Sequence, residues 1–244
     1  MNITVVMWYD EGIKEYADNC YKINKAYCDK HGYTLIKSSE RTYTDRKPHW
    51  ERFPLILKHI NDTDYIMWVD ADAHFYIDAP RLETIIEKYN TDIILSEDID
   101  NAKYNINTGV FILKNTQQVI DIVDAWTNDD NLYQSLNYST WQDQALVRYF
   151  YKNNLNSIRD ISSISPYGEL QHFKSNDKKE NTFIHHYAGT KKIVRTSSSA
   201  KYVAKNIDNS SSSMSFMIFT AIGIFVLLLI LLWFYKFKNF KKNK

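Results

Sequence analysis

The stretch Tyr65-Ile66-Met67-Trp68-Val69-Asp70-Ala71-Asp72 decides how this chain is read. Five apolar residues with no turn signal have the length and composition of a strand buried on both faces. Two carboxylates follow at once, two residues apart. The carboxyl ends of strands in an α/β sheet form the rim where ligands bind. If the backbone stays extended, both acids point the same way. Two close carboxylates repel, so one keeps its proton unless a cation joins them. Mg2+ or Mn2+ prefers such hard oxygen ligands and bridges them to phosphates. Spacing alone does not single this pair out. Asp62-Thr63-Asp64 and Asp98-Ile99-Asp100 repeat the pattern, and each reads equally well as a solvated acidic turn. Only the middle copy directly follows a long apolar strand.

Outward from that strand, the pattern alternates. Ile3 to Trp8 is an apolar run of strand length. Glu11 to His31 has Ile13, Tyr16, Cys20, Ile23 and Tyr27 on one helical face, with Gly32 as its stop. Tyr33 to Lys37 reads as a second strand and Glu51 to Ile60 as a short helix. Beyond the acidic pair, Pro80 opens a helix through Tyr89. Ile93 to Leu95 and Val110 to Leu113 are strands, Gln117 to Trp126 and Trp141 to Tyr151 helices, and Phe183 to His186 a late strand. Alternation of this kind predicts a mainly parallel sheet flanked by helices.

The chain has 244 residues, enough for one domain with a substantial core. A formal net charge of +1 gives no electrostatic reason to expect nucleic acid as a partner. Residues 1–205 are expected to form the domain, and the Ser- and Asn-rich residues 206–213 a flexible linker. Met214 to Tyr235 carries no charge and spans about 33 Å as a helix, enough to cross a hydrocarbon core of about 30 Å. Residues 236–244 form a lysine-rich tail. These features predict a single-pass C-terminal anchor. The lysines argue for a cytoplasmic tail with the domain on the far side, and Lys241-Lys242-Asn243-Lys244 looks like a retrieval signal of the endomembrane system. The opening residues lack a secretory leader, which argues for a cytosolic domain. The two arguments oppose each other, and the side of the membrane stays open. Cys20 and Cys28 lie about 12 Å apart along one predicted helix. That is too far for a disulfide, so they are read as small packing residues.

A second constellation stands at the end of the domain. His186, Gly189 and Lys192 make an H-x-x-G-x-x-K pattern within Phe183-Ile184-His185-His186-Tyr187-Ala188-Gly189-Thr190-Lys191-Lys192. An imidazole can complete a metal site begun by two carboxylates. A glycine permits close backbone approach to a phosphate, and a lysine offers a point charge to a diphosphate. His185 faces the other way in an extended segment and is read as structural.

Together, Asp70-Ala71-Asp72 and His186-x-x-Gly189-x-x-Lys192 resemble the retaining GT-A glycosyltransferases. The pattern is most similar to family 34, with features of the glycogenin-like family 8. His31-Gly32-Tyr33, Trp50-Glu51-Arg52, Asn107-Thr108-Gly109 and Trp141-Gln142-Asp143-Gln144 resemble further segments of that pattern, in the same order. The resemblance covers roughly Ile3 to Lys192. It implies a GT-A nucleotide-diphospho-sugar transferase fold plus the C-terminal membrane helix. The implied donor is a nucleotide sugar such as UDP-hexose, UDP-xylose or GDP-mannose, and the implied acceptor a glycan or glycoprotein.

On this resemblance Asp70, Asp72 and His186 hold Mn2+ or Mg2+, and Gly189 and Lys192 meet the diphosphate. Asp70, Arg52, Tyr9 and Asp10 contact the nucleotide. Asn107, Asp143 and Gln144 face the sugar and acceptor as the catalytic group. Read without the resemblance, Asn107 serves equally as a turn residue, Asp143 and Gln144 as the solvated first turn of a helix, and Arg52 as a surface charge. Two other functions compete. A haloacid-dehalogenase-like phosphotransferase also places D-x-D after an apolar strand, but it wants Thr or Val where His74 stands. A non-catalytic membrane-anchored sugar-binding protein would not need the whole set of metal, lysine and Asp-Gln residues.

Overall fold

The computed structural model describes residues 1–99, 105–136, 142–174 and 180–208. A six-stranded sheet forms the centre. β1 (Ile3–Trp8) pairs in parallel with β2 (Thr34–Ser38) on one side and with β3 (Tyr65–Val69) on the other. β6 (Ile106–Lys114) follows β3, then β5 (Ile93–Glu97) and β7 (Ser162–Ser165), giving the order β2-β1-β3-β6-β5-β7. β1 is buried along its whole length, as are all but the first residue of β3 and the last of β6. Apolar side chains on both faces therefore need cover on both faces.

The sheet is mixed rather than mainly parallel. β6 runs antiparallel to both β3 and β5. The reason is the short chain between β5 and β6: a parallel return needs a crossover of about a dozen residues or more, and residues 98–105 are too few. β1 and β3 keep the bounds that the apolar runs predict. The first helix, α1, starts at Lys14 and ends at His31. Its C-cap Gly32 has φ 78°, a left-handed conformation that glycine adopts without a steric penalty. Cys20 and Cys28 are free thiols buried inside this helix face.

Cover comes from α1 and from α2 (Arg52–His59), α3 (Leu82–Tyr89), α4 (Gln117–Asn128), α5 (Asp130–Ser135) and α6 (Gln142–Asn153). Trp50, Phe53 and Trp126 are fully buried. Phe53 packs 5.4 Å from Trp126, and Trp50 meets Tyr133 edge-on at 5.0 Å between ring centroids. α2 and the short 3-10 turn Pro48–Glu51 are thereby anchored against α4 and α5.

A second, three-stranded sheet has the order β4-β9-β8, with β4 (Ala73–Phe75), β8 (Gln171–His172) and β9 (Ile184–His186). Because β4 begins one residue after Asp72 and pairs antiparallel with β9, Ala73 lies opposite His186. This small sheet brings the two ends of the sequence pattern together. Asn24 of α1 holds it in place: fully buried, its amide donates to Ala73 O at 3.1 Å and its Oδ1 accepts from Phe75 N at 2.9 Å. Behind the sheet, His74, His172, His185 and Tyr76 pack ring against ring, with His172 and His185 stacked at 4.9 Å.

Residues 1–200 form one compact unit, and a second begins at Lys201, shortly before the expected boundary at residue 205. The last helix, α7, runs Lys192–Val203, followed by a π-helical turn Ala204–Asp208. Among the described residues no helix is long and apolar enough to cross a membrane. The predicted span Met214 to Tyr235, the lysine tail and most of the linker lie outside the described residues, as does Trp141.

Two stability predictions follow from the small sheet. Asn24→Ala leaves a buried carbonyl and a buried N–H without partners, and should lower unfolding free energy by roughly 2–4 kcal/mol in a denaturant titration. Burial also pushes the His74 and His185 imidazoles down, to about 4 and about 3. The unfolded chain takes up these protons near pH 6.5 and the folded chain does not. Stability should therefore fall as pH drops from 6.5 toward 4, each histidine adding a slope of up to about 1.4 kcal/mol per pH unit. His74→Gln should flatten that slope, measured in chelator to keep metal out; an unchanged slope would place the charge uptake elsewhere.

Candidate functional site

β3 delivers Asp70 to the rim of the sheet, where its N–H donates to Gly109 O of β6 at 2.8 Å. The chain then turns, Ala73 N donating to Asp70 O at 3.0 Å, and Asp72 comes round beside Asp70. β9 supplies His186, whose Nε2 lies 3.2 Å from Asp72 Oδ1 and 3.8 Å from Asp70 Oδ2. One ligand atom from each of these three residues falls within 4.8 Å of the others. Two hard oxygens and an imidazole nitrogen converging at that spacing fit Mn2+ or Mg2+.

A hydrogen-bond chain fixes which nitrogen of His186 faces the acids. Gly109 N donates to Asn107 Oδ1 at 2.8 Å, so that atom is the amide oxygen. Gln171 Nε2 donates to the same oxygen at 3.0 Å, which leaves Gln171 Oε1 to meet His186 Nδ1 at 2.8 Å. Nδ1 must therefore carry a proton, and Nε2 can offer its lone pair once its own proton leaves. Gly109 makes room for the ring. A Cβ there would lie 2.8 Å from His186 Nδ1 and 2.9 Å from Asn107 Oδ1.

Electrostatics split the two acids. Burial raises the Asp70 carboxyl, outweighing the pull of Arg52 and His186. Burial acts on Asp72 too, but His186 and Arg195 more than offset it and hold that carboxyl below its ordinary value. Burial lowers His186, and the two acids more than reverse the effect.

Arg52 is buried and does the work of a brace. Its Nη2 sits 3.2 Å from Asp70 Oδ1 and 2.9 Å from Asp143 Oδ2, its Nε donates to His49 O at 3.0 Å, and its Nη1 donates to Thr108 O. Asp143 is buried as well, with Thr108 Oγ1 donating to it at 3.3 Å, while His49 Nε2 lies 3.6 Å from it without a hydrogen bond. Gln144 accepts from Thr108 N at 3.2 Å and reaches Asp98 Oδ2 at 3.4 Å.

Two cavities flank the acids. One, of about 430 Å³, is polar, with Asp98, Asn107, Asp143 and Gln144 in its wall. The other, of about 370 Å³, has Trp8, Tyr16 and Trp68 in its wall. Asp70, Asp72, Arg52, His49 and Arg195 border both.

The structure thus brings together Asp70, Asp72, His186, Arg52, Asn107, Asp143, Gln144 and Gly189. Gly189 borders the polar cavity, and its φ of 69° is what demands glycine, since an added Cβ would meet nothing within 4 Å. Three other expected residues stand apart. The Tyr9 hydroxyl is turned to Asp18 at 2.8 Å, and Asp10 accepts from Gly12 N at 3.0 Å to shape the turn before α1. Neither borders either of these two cavities, whereas their neighbours Trp8 and Tyr16 line the second. Lys192 points outward, 57% exposed and 3.6 Å from Glu15 Oε2.

Sequence reasoning missed His49, Gln171, Asp98 and Arg195. Asp98 belongs to a D-x-D copy passed over because its strand is short. Arg195 lies one helical turn beyond Lys192, a spacing that is visible only once α7 is known to be a helix. Gln171 carries no sequence signal.

Comparison with known proteins places these features. Residues 24–140 match DUF273, a family described as proteins of unknown function; that span holds the acidic pair and Asn107 and ends before Asp143. Xyloglucan 6-xylosyltransferase 4 of Arabidopsis thaliana is 30% identical over 112 residues, 41% of this chain and 21% of that protein. Glycosyltransferase 6 of the same plant is 25% identical over 117 residues, 44% of this chain and 26% of that protein. The chain spans about a fifth to a quarter of the length of these relatives. A glycosyltransferase involved in the glycosylation of the major capsid of PBCV-1 superposes with a TM-score of 0.65 at 17% identity, covering 82% of this chain and 100% of that one. The shared fold is α/β, with a mixed sheet and flanking helices similar to the GT-A glycosyltransferases.

Gln171→Leu removes the acceptor that holds the His186 proton at Nδ1. Mn2+ affinity, read by calorimetry, should fall by about 10- to 100-fold, the range for losing a partner behind a metal ligand, and the buried Nδ1–H left unpaired should lower stability in chelator by roughly 1–3 kcal/mol.

Proposed function

We propose that this chain is a metal-dependent glycosyltransferase that moves a hexose or pentose from a nucleotide-diphosphate sugar to a glycan or protein-linked acceptor, with retention. One observation carries the reading: Asp70 and Asp72 stand on the wall shared by an aromatic cavity and a more polar one, with His186 joining them from the polar side. Such a wall suits a donor whose base and sugar lie on opposite sides of its diphosphate. The glycosyltransferases among the relatives and the solved structures support the same reaction class.

A divalent cation bound at the triad supplies the positive charge that stabilises the diphosphate as it leaves. The chain's own residues do the rest. Trp8, Tyr16 and Trp68 offer apolar faces to a nucleobase and ribose. Arg52 keeps Asp70 aimed at the site by tying it to Asp143. Asn107 and Gln171 hold His186. On the sugar side, Gln144 is fixed by Thr108 and Asp98, so its amide is ordered before substrate arrives. Negative charge at Asp143 favours the positive charge that develops at the anomeric carbon. Retention draws its support from the sequence resemblance to families 34 and 8. UDP-hexose, UDP-xylose and GDP-mannose all match this chemistry. The uncharged run Met214 to Tyr235 supports a single-pass membrane anchor.

Donor hydrolysis and transfer should be assayed with UDP-glucose, UDP-galactose, UDP-xylose and GDP-mannose, with Mn2+ and with EDTA. EDTA should abolish turnover, and Asp72→Asn should reduce it by at least about 100-fold, the scale of losing one electrostatic stabiliser. Full turnover in EDTA would sink the metal-site reading. Phosphate release from simple phosphoesters would favour the phosphotransferase alternative.

A further inference from the structure

We propose that Arg195 is the diphosphate-binding cation of this site, and that it is free for that task only after a divalent metal has taken Asp72 from it. The idea rests on the metal-diphosphate reading above and assigns a residue that the sequence pattern does not. The pattern offers Lys192, yet its ammonium stands outside both cavities beside Glu15. Arg195, one turn further along α7, borders both.

The guanidinium is held where a metal would compete with it. Its Nη1 lies 3.1 Å from Asp72 Oδ2 and 3.3 Å from the Tyr16 hydroxyl. Its Nε is buried with no hydrogen-bond partner among the described residues. An arginine bonded at Nη1 and unpaired at Nε keeps donor capacity for a further acceptor, since buried N–H groups are normally paired. The side chain is 22% exposed, so the head has an opening to move through.

Charge decides the order of events. Without metal, Asp72 is balanced by Arg195 and His186. Because Arg195 Nη1 is 3.1 Å from Asp72 Oδ2, a dication taken up by Asp72 would be repelled by the guanidinium, so Arg195 opposes metal binding by itself. A diphosphate reverses the sign, because its oxygens accept from the guanidinium while also binding the metal, and charge-assisted bonds to phosphate oxygens are strong. Arg195 therefore weakens metal alone and strengthens metal with diphosphate.

These opposite signs are the test. The full-length chain is titrated with Mn2+ alone, then with micromolar inorganic pyrophosphate in saturating Mn2+, by calorimetry. Arg195→Gln should bind Mn2+ about 3- to 10-fold more tightly and pyrophosphate at least about 10-fold more weakly, as expected for removing one charge-assisted contact. Arg195→Lys keeps the positive charge but loses the planar fork, so it should recover part of each shift in the same two directions, which separates the effect from misfolding. A purely structural partner of Asp72 would shift both affinities in the same direction. Weaker Mn2+ binding in Arg195→Gln, unchanged pyrophosphate binding, or a loss that appears in Lys192→Ala instead would overturn the assignment. The transferase reading fails separately: a chain showing the opposite shifts but turning over no nucleotide sugar keeps the Arg195 assignment and loses that reading.

Discussion

Two carboxylates at the end of a buried strand are the constraint around which the molecule is organised. β3 is apolar on both faces and can end only at a rim. Its last turn places Asp70 and Asp72 where neither is well solvated, and burial works against the charge of both. The fold answers with cations from separate segments: Arg52 from α2, His186 from β9 and Arg195 from α7. Each must be carried to the same point by its own element. The aromatic packing of Trp50, Phe53 and Trp126 fixes α2, and pairing with β4 fixes β9, so core packing and site chemistry are coupled at these contacts.

The antiparallel strand β6 adds what a wholly parallel sheet would not. It runs back past β3 and presents Asn107, Thr108 and Gly109 beside Asp70. Thr108 binds the Asp143 carboxylate and the Gln144 side chain, while Asn107 orients Gln171 and, through it, His186. Three consecutive residues thus set His186, Asp143 and Gln144 in one geometry. Gly109 is the condition for this, because any side chain there would occupy the space of the imidazole.

Much of this was legible in the sequence. The apolar runs gave β1 and β3 their bounds, Gly32 marked the end of α1, and strand context picked out the acidic pair that the structure sets beside His186. Asp72 and His186 are far apart in the chain, yet their residue types already suggested one site. What stayed hidden has physical causes. β4 and β8 are three and two residues long, too short to show a period. The strand order depends on which edges pair, which no local pattern encodes. α7 is rich in Thr and Ser, from Thr196 to Ser199, residues that favour turns and caps over helix interiors. Its helical spacing was invisible, and Arg195 with it. Lys192 matched a pattern by spacing, but the turn at Gly189 sends it outward.

The charges around the acids also bear on how a ligand enters. Arg52 is held between Asp70 and Asp143, Arg148 lies 3.0 Å from Asp98 Oδ2, and Arg195 lies beside Asp72. Acids and bases are nearly matched before anything binds. A dication alone upsets that match on the positive side, and a diphosphate alone upsets it on the negative side beside Asp70 and Asp98. Only the two together leave the site close to balance. In a partly buried site, where charge is poorly screened, that balance would favour a metal and a diphosphate held together over either one alone.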